Sequence, residues 1–260
     1  MKADAFVKVN PNTGEAFDFT YNPDTGLGAQ LIDSDGNGLV DSLRIHLQDG
    51  ALGDVDGEVN GQVRDPGMLA TAPRQAIHRF YNAGAGVHFY TPSESEKDTV
   101  IANTDWGYSY EGIAYQALDT QGTSLYRFYN AAKRYHFLST SLEEAANVIA
   151  NSYAPGVDPA SVLADPEAFK DQLINGGWGY TYEGTTYNVS TIPQHGMDTT
   201  VHRFYNQAKG VHFYSASTEE ANTVITESLG DGYDLNNALN QSNLIDGGWG
   251  YVYEGSAWYV

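Results

Sequence analysis

The tetrapeptide RFYN stands at residues 79–82, again at 127–130 and a third time at 203–206. Nine residues after each arginine a histidine precedes a phenylalanine: His88-Phe89, His136-Phe137 and His212-Phe213. A serine and a glutamate follow at a spacing of three, as Ser93/Glu96, Ser141/Glu144 and Ser217/Glu220. Each copy closes with a near-identical heptapeptide: WGYSYEG at 106–112, WGYTYEG at 178–184 and WGYVYEG at 249–255. Recurrence in register over such a length governs the architecture ahead of local propensity.

Each unit reads strand, turn, strand, helix, loop, strand. The Ser-x-x-Glu pairs predict helix starts, with the serine oxygen accepting an amide and the glutamate reaching back. The expected fold class is mainly β with short helices (α+β). Residues 76–260 form a pseudo-threefold, three-lobed repeat domain with units at about 76–119, 123–191 and 199–260. Units two and three carry inserts between helix and WGY, at 151–177 and 228–248. A short helix is expected within 159–174, from the spacing of Val162, Leu163, Phe169 and Leu173.

What repeats in all three units is first of all scaffold. Arg79 with Glu111, Arg127 with Glu183 and Arg203 with Glu254 are expected ion pairs, since both members recur. His88, His136 and His212 read as core histidines; the other reading is a metal on a threefold axis. The WGY rings read in two ways. They fill the interface between lobes, or they offer flat apolar plates suited to sugar rings. A ligand is expected on lobes two and three, where long polar loops flank the motif. The candidate residues are Trp178, Tyr180, Trp249 and Tyr251, with Asp171, Asn243 and Asp246 from the inserts. Lobe one, which passes almost directly from helix to Trp106, is left out of that site.

Residues 1–70 differ in character. Dense turn signals and alternating strands such as 39–47 predict a β-sandwich-like segment, whole or partial, ending in a linker at Asp65-Pro66-Gly67 and Ala72-Pro73-Arg74. The stretch DSDGNGLVD at 33–41 spaces Asp33, Asp35, Asn37 and Asp41 so that their oxygens converge, with the Leu39 carbonyl as a further ligand. Hard oxygen ligands on a glycine-containing loop suit Ca²⁺. Arg44 stands where an EF-hand would place its bidentate glutamate, so the loop is of a shorter kind. Asp54, Asp56 and Asn60, with Asp65 nearby, form a second, looser calcium candidate. A solvated Asx-turn loop is the other reading of the first stretch, and the second cluster is either an independent site or completes the first.

The chain has 260 residues, a formal net charge of −20 and no cysteine. That charge disfavours nucleic acid, and no apolar run long enough for membrane insertion is present. Without disulfides, bound metal is a candidate staple. The start at Met1-Lys2 runs straight into strand-like sequence, as in a piece of a longer chain. HExxH, GxSxG, P-loop and Rossmann motifs are absent, so no enzyme is expected, although a glycosidase carboxylate pair stays open.

The pattern HRFYN…VHFYT…SxxE…WGYxYEGxAY resembles a tandem-repeat family of unknown function found in bacterial secreted and surface proteins. Unit two departs from it at Tyr126, Leu138 and Thr186. The stretch 28–67 resembles a segment of RTX-type giant adhesins of Gram-negative bacteria. Together the resemblances imply an extracellular, cell-surface, calcium-dependent ligand-binding module, monomeric in isolation. Carbohydrate on a target cell is the first ligand class. A peptide or protein terminus, an accessory role beside a secreted glycan hydrolase, and a structural spacer remain as alternatives.

Overall fold

The computed structural model describes residues 3, 5–10, 13–36, 39–65, 67–71, 74–119, 122–194 and 196–260. The chain opens with β1 (Ala5–Val9), β2 (Ala16–Asp18), β3 (Gly28–Ile32), β4 (Ser42–His46) and β5 (Gly67–Ala70). β1 lies between β2 and β5 in an antiparallel sheet, and β3 with β4 forms a hairpin. The two sheets share a small core of Phe6, Phe19, Ala29 and Leu31, against which Leu43, Ile45 and Leu47 pack as their alternation predicts. Leu39 does not join them: it is 44% exposed, because strand pairing starts only at Ser42 and Leu39 lies on the hairpin loop. The expected linker is also more ordered than a connector. β5 pairs with β1, and Ala5, Leu118 and Met197 form one buried cluster that ties this segment to the rest of the chain. Pro66, Ala72 and Pro73 lie outside the described residues.

Three segments of like order follow. The first is β6 (Arg74–Asn82), β7 (Val87–Thr91), α1 (Glu94–Ala102), a 3₁₀ turn at Thr104–Trp106 and β8 (Tyr108–Leu118). The second is β9 (Thr123–Asn130), β10 (Tyr135–Ser139), α2 (Leu142–Ser152), α3 (Pro159–Ala164), a 3₁₀ turn at Pro166–Phe169 and β11 (Tyr180–Val189). The third is β12 (Thr200–Asn206), β13 (Val211–Ser215), α4 (Thr218–Leu229) and β14 (Val252–Tyr259). Their strands run β10-β9-β11-β8-β6-β7 in one sheet and β13-β12-β14 in another, so the fold is mainly β.

Registers match across the segments. Phe80 faces Phe89, Phe128 faces Phe137 and Phe204 faces Phe213, all six of them buried. On the other side Arg79, Arg127 and Arg203 face Gly112, Gly184 and Gly255. Those glycines have φ of 102°, 98° and 103°, beside irregularities in the ladder that a side chain would strain. A central cluster joins all three segments, with Ile77, Leu125 and Val201 in matching positions and Tyr90, Leu138 and Tyr214 beside them.

The serine caps form as predicted: Ser93, Ser141 and Ser217 accept from the amides of Glu96, Glu144 and Glu220. The glutamates, however, do not take the expected return bond. Thr91, Ser139 and Ser215 hydroxyls accept the cap amides and donate to Glu96, Glu144 and Glu220. The Oε2 that accepts each hydroxyl also takes an arginine of a neighbouring segment.

The inserts mostly cover the hydrophobic clusters of the second and third segments. The expected helix within 159–174 is shorter than its spacing suggested: Asp158 caps α3, Val162 is fully buried, and Phe169 packs from the following turn. In the third segment Ala238 is buried and Tyr233 and Leu235 lie against the cluster around Phe204 and Phe213.

Candidate ligand clefts and carboxylate cluster

The asparagine of each RFYN decides how the tryptophans stand. Asn82, Asn130 and Asn206 are buried, and their Nδ2 groups donate to the carbonyls of Trp106, Trp178 and Trp249 at 2.7, 2.7 and 2.9 Å. Their Oδ1 atoms accept the amides of Ala85, Lys133 and Lys209 and close the hairpin turns. The tryptophan backbone is thus pinned while its ring is not: Trp106, Trp178 and Trp249 are 47%, 48% and 50% exposed. They do not fill the interface between segments.

Two of these rings edge clefts between segments. One cleft, about 700 Å³, sets Trp106, Tyr108 and Glu96 of the first segment against Tyr129, His136 and Glu183 of the second. The other, about 870 Å³, sets Trp249, Tyr251 and Glu220 of the third against Tyr81, His88 and Glu111 of the first. The rings are arranged alike in both. His136 lies 4.6 Å from the Tyr129 ring centre and 4.8 Å from that of Phe89. His88 lies 4.7 Å from both Tyr81 and Phe213.

The two glutamates that line each cleft are held by one arginine, Arg127 for Glu96 and Glu183 and Arg79 for Glu220 and Glu111. The three predicted pairs are present, with Nε to carboxylate distances of 2.8 Å for Arg79–Glu111, 3.0 Å for Arg127–Glu183 and 2.8 Å for Arg203–Glu254. Each arginine also reaches a helix-cap glutamate of another segment: Arg79 to Glu220, Arg127 to Glu96 and Arg203 to Glu144. These contacts run from first segment to third, third to second and second to first, and so close a ring. The second partners went unrecognised in the sequence, although the recurrence of both residue types was there to find them. Each histidine Nε2 lies near a different glutamate, at 3.6 Å for His88–Glu111 and 3.4 Å for both His136–Glu183 and His212–Glu254.

The placement of the expected ligand residues is mixed. Trp249 and Tyr251 line a cleft; Trp178 is exposed. Tyr180 is buried, its ring against Phe137, and cannot meet a ligand. Asp171 and Asp246 are exposed but line neither cleft, and Asn243 donates to Tyr233. The first segment, left out by its lack of an insert, supplies Trp106 to a cleft.

The first acidic loop is the tip of the β3–β4 hairpin. Asp33, Asp35 and Asp41 each bring a carboxylate oxygen within 4.8 Å of the others. Asp33 accepts the Gly36 amide at 2.9 Å. Asp41 accepts the Ser34 hydroxyl and amide, which hold its carboxyl below the usual range. Asn37 lies outside the described residues. The second cluster is gathered differently from the expectation. Asp54 is buried and takes the amides of Gly50 and Arg64. Asp56 takes the Glu58 amide and Asn60 Nδ2, and the unforeseen Asp49 takes the Asn60 and Gly61 amides. Asp65 pairs with the buried Lys8, which lies 4.3 Å over the Phe19 ring. A lysine and backbone amides therefore supply the positive charge there. Among the described residues only Asp33, Asp35 and Asp41 form a carboxylate group that could hold an ion.

Residues 60–156 and 163–238 match the family described as Domain of unknown function (DUF5648). The chain belongs to that family. No curated protein and no solved structure matches it. The DUF5648 match takes in β5 and the first segment whole, and it ends before Trp249.

Electrostatics of the DUF5648 clefts set a pH dependence. Burial, followed by the charge of Arg79, holds His88 down at about 4. Burial alone would raise Glu183, Glu220 and Glu254, but His136 and Arg127, Arg79 and Ser215, and His212 and Arg203 respectively outweigh it and hold them low. An unfolded histidine takes a proton near pH 6.5, and folded His88 only near 4. Stability therefore falls as pH drops from about 6.5 towards 4, and the glutamates add to the loss below their ordinary range. Between pH 7 and pH 5 the His88 contribution is about 2 kcal/mol. His88→Gln should flatten that part of a chemical-denaturation profile; an unaltered slope would remove His88 as its cause.

Proposed function

We propose that this chain is a ligand-binding module of a bacterial surface adhesin, exposed outside the cell, and that it binds carbohydrate on a target cell in the clefts between its segments. The observation that carries the reading is the pairing, in each cleft, of a half-exposed tryptophan with an arginine-fixed pair of glutamates. The ring offers an apolar plate to the C–H face of a sugar. The glutamates are oriented acceptors for hydroxyl groups, with their positions set before a ligand arrives. The three segments act in this reading as lobes of one pseudo-threefold repeat, which explains why the clefts are alike.

The same carboxylates suit binding better than glycoside hydrolysis. A hydrolase needs one carboxyl with a raised pKa to protonate the leaving group. Glu183 and Glu220 are instead held low by their cationic partners. A glycan array probed with the purified chain tests the proposal. Binding of a defined set of glycans is expected, and silence across the array with binding to peptides would overturn it.

Calcium belongs to the same proposal, held by Asp33, Asp35 and Asp41 with Asn37 and the Leu39 carbonyl completing the set. Three carboxylates gathered at a hairpin tip repel one another, and a divalent cation relieves that. Calcium at ten times its dissociation constant should then add about 1.4 kcal/mol to stability, a rise of about 3–5 °C in Tm. A Tm indifferent to calcium and chelator would rule the ion out.

A further inference from the structure

We propose that the end of the molecule where the three hairpin turns meet is an anion site, and that it takes the carboxylate of an acidic sugar whose ring lies in the adjoining Trp106 cleft. The inference rests on the carbohydrate reading and narrows its ligand class. A cavity of about 620 Å³ there is lined by Lys133, Arg134 and Lys209 together with Val87, Val211 and Asp105. The chain has only 13 lysines and arginines against 33 carboxylates. Most described cations with structural roles are paired, yet among the described residues none of these three has a carboxylate within ion-pair reach. Lys133 Nζ donates to the Gly210 carbonyl at 2.8 Å, and its remaining N–H groups need other partners. Asp105 is the one carboxylate in the lining, so the pocket keeps a local excess of positive charge in an acidic chain.

The backbone at Arg134 points the same way. Its φ is 52°, in the left-handed region where a side chain is disfavoured. The matching turn residues of the other segments are glycines, Gly86 at 67° and Gly210 at 64°. Two turns of three thus use the residue the geometry prefers, and the third holds an arginine against it. Strain kept at one copy of a repeated turn is a sign of use. Among the described residues no hydrogen bond or ion pair holds this guanidinium: what the scaffold takes from Arg134 is its backbone carbonyl, which accepts the Tyr108 hydroxyl at 2.8 Å and would do so from glycine as well.

Asp105, Trp106 and Arg134 line both this pocket and the first cleft, and Lys209 lines both this pocket and the second. A sugar stacked on Trp106 would place a ring carboxylate towards Arg134, whose planar guanidinium matches it in two-point fashion. Uronic and sialic acids share that chemistry.

The test is calorimetric titration of the intact chain with trigalacturonate and its methyl ester, with sialyllactose and lactose, and with a short peptide bearing a free or amidated C-terminus. At least one acidic sugar should bind tenfold or more tightly than its neutral counterpart, and which one does so identifies the source. Arg134→Gly should erase that preference while leaving Tm equal or higher, and Lys133→Gln with Lys209→Gln should erase it too. Equal binding of acidic and neutral sugars would overturn this inference and leave carbohydrate binding standing. A preference that survives Arg134→Gly in the folded protein would place the anion site elsewhere. Binding of the free peptide terminus alone, or of no ligand in the set, would overturn both.

Discussion

Arg127→Ala is expected to destabilise the protein by about 2–3 kcal/mol. Arg127 stands between Glu183 of its own segment at 3.0 Å and Glu96 of the preceding one at 3.1 Å. Its side chain is 19% exposed, and theirs are 29% and 33% exposed. Removing one member of a buried pair costs about 3–5 kcal/mol because the other charge is left without its partner. Partial access to water reduces that figure here. Two glutamates would be left facing each other across a boundary between segments, so the loss falls on the docking of one segment against another. Urea unfolding measures it. Adding Glu96→Gln to Arg127→Ala should restore part of the loss, because the second change removes one of the stranded charges. Additive losses would mean that the arginine acts through its aliphatic stem alone. A folded variant of undiminished stability that no longer bound glycans would move Arg127 from scaffold to site.

The pairing of Arg127 with Glu183 was legible because both recur at fixed places in all three copies. Its bond to Glu96 was hidden for a physical reason. Ser93-x-x-Glu96 has a sufficient local explanation as a helix cap, and a linear pattern says nothing of how one segment is turned against the next. The rings show a different obstacle. Strand alternation puts Trp178 and Tyr180 on one face, yet Trp178 is 48% exposed and Tyr180 is buried. Gly179 between them has φ of 74°, which breaks the alternation before β11 begins. Polar inserts suggest binding loops as readily as padding, because their charged residues are conspicuous. Single apolar residues decided otherwise: Val162 and Ala238 are fully buried, and the acids around them face water. In the first acidic stretch the spacing alone did bring Asp33, Asp35 and Asp41 together, since a short loop leaves their oxygens nowhere else to converge. The second stretch is longer, and amides and Lys8 reached its carboxylates first.

Trp106→Ala and Trp249→Ala should each remove one of two glycan sites, and the double variant both. The rings stand at matching places in the two clefts and are about equally exposed, so as stacking plates for a neutral sugar neither outranks the other. Losing a stacking ring costs about 1–3 kcal/mol by analogy with base stacking, or about 5- to 150-fold in affinity at its own cleft. With two independent clefts a single variant leaves the other site untouched, so titration should show half the tight stoichiometry rather than uniformly weaker binding. Folding is not expected to suffer, because Asn82 and Asn206 hold the backbone carbonyls of Trp106 and Trp249 and not their rings. Trp178→Ala is the third arm. Its ring is as open as theirs, but the strand behind it buries Tyr180, and Lys133 leans over that ring at 5.6 Å. The expected loss at Trp178 is therefore the smallest of the three. Full stoichiometry in both the Trp106 and Trp249 variants would take the clefts out of glycan binding, and an equal loss at all three tryptophans would extend the site to every segment.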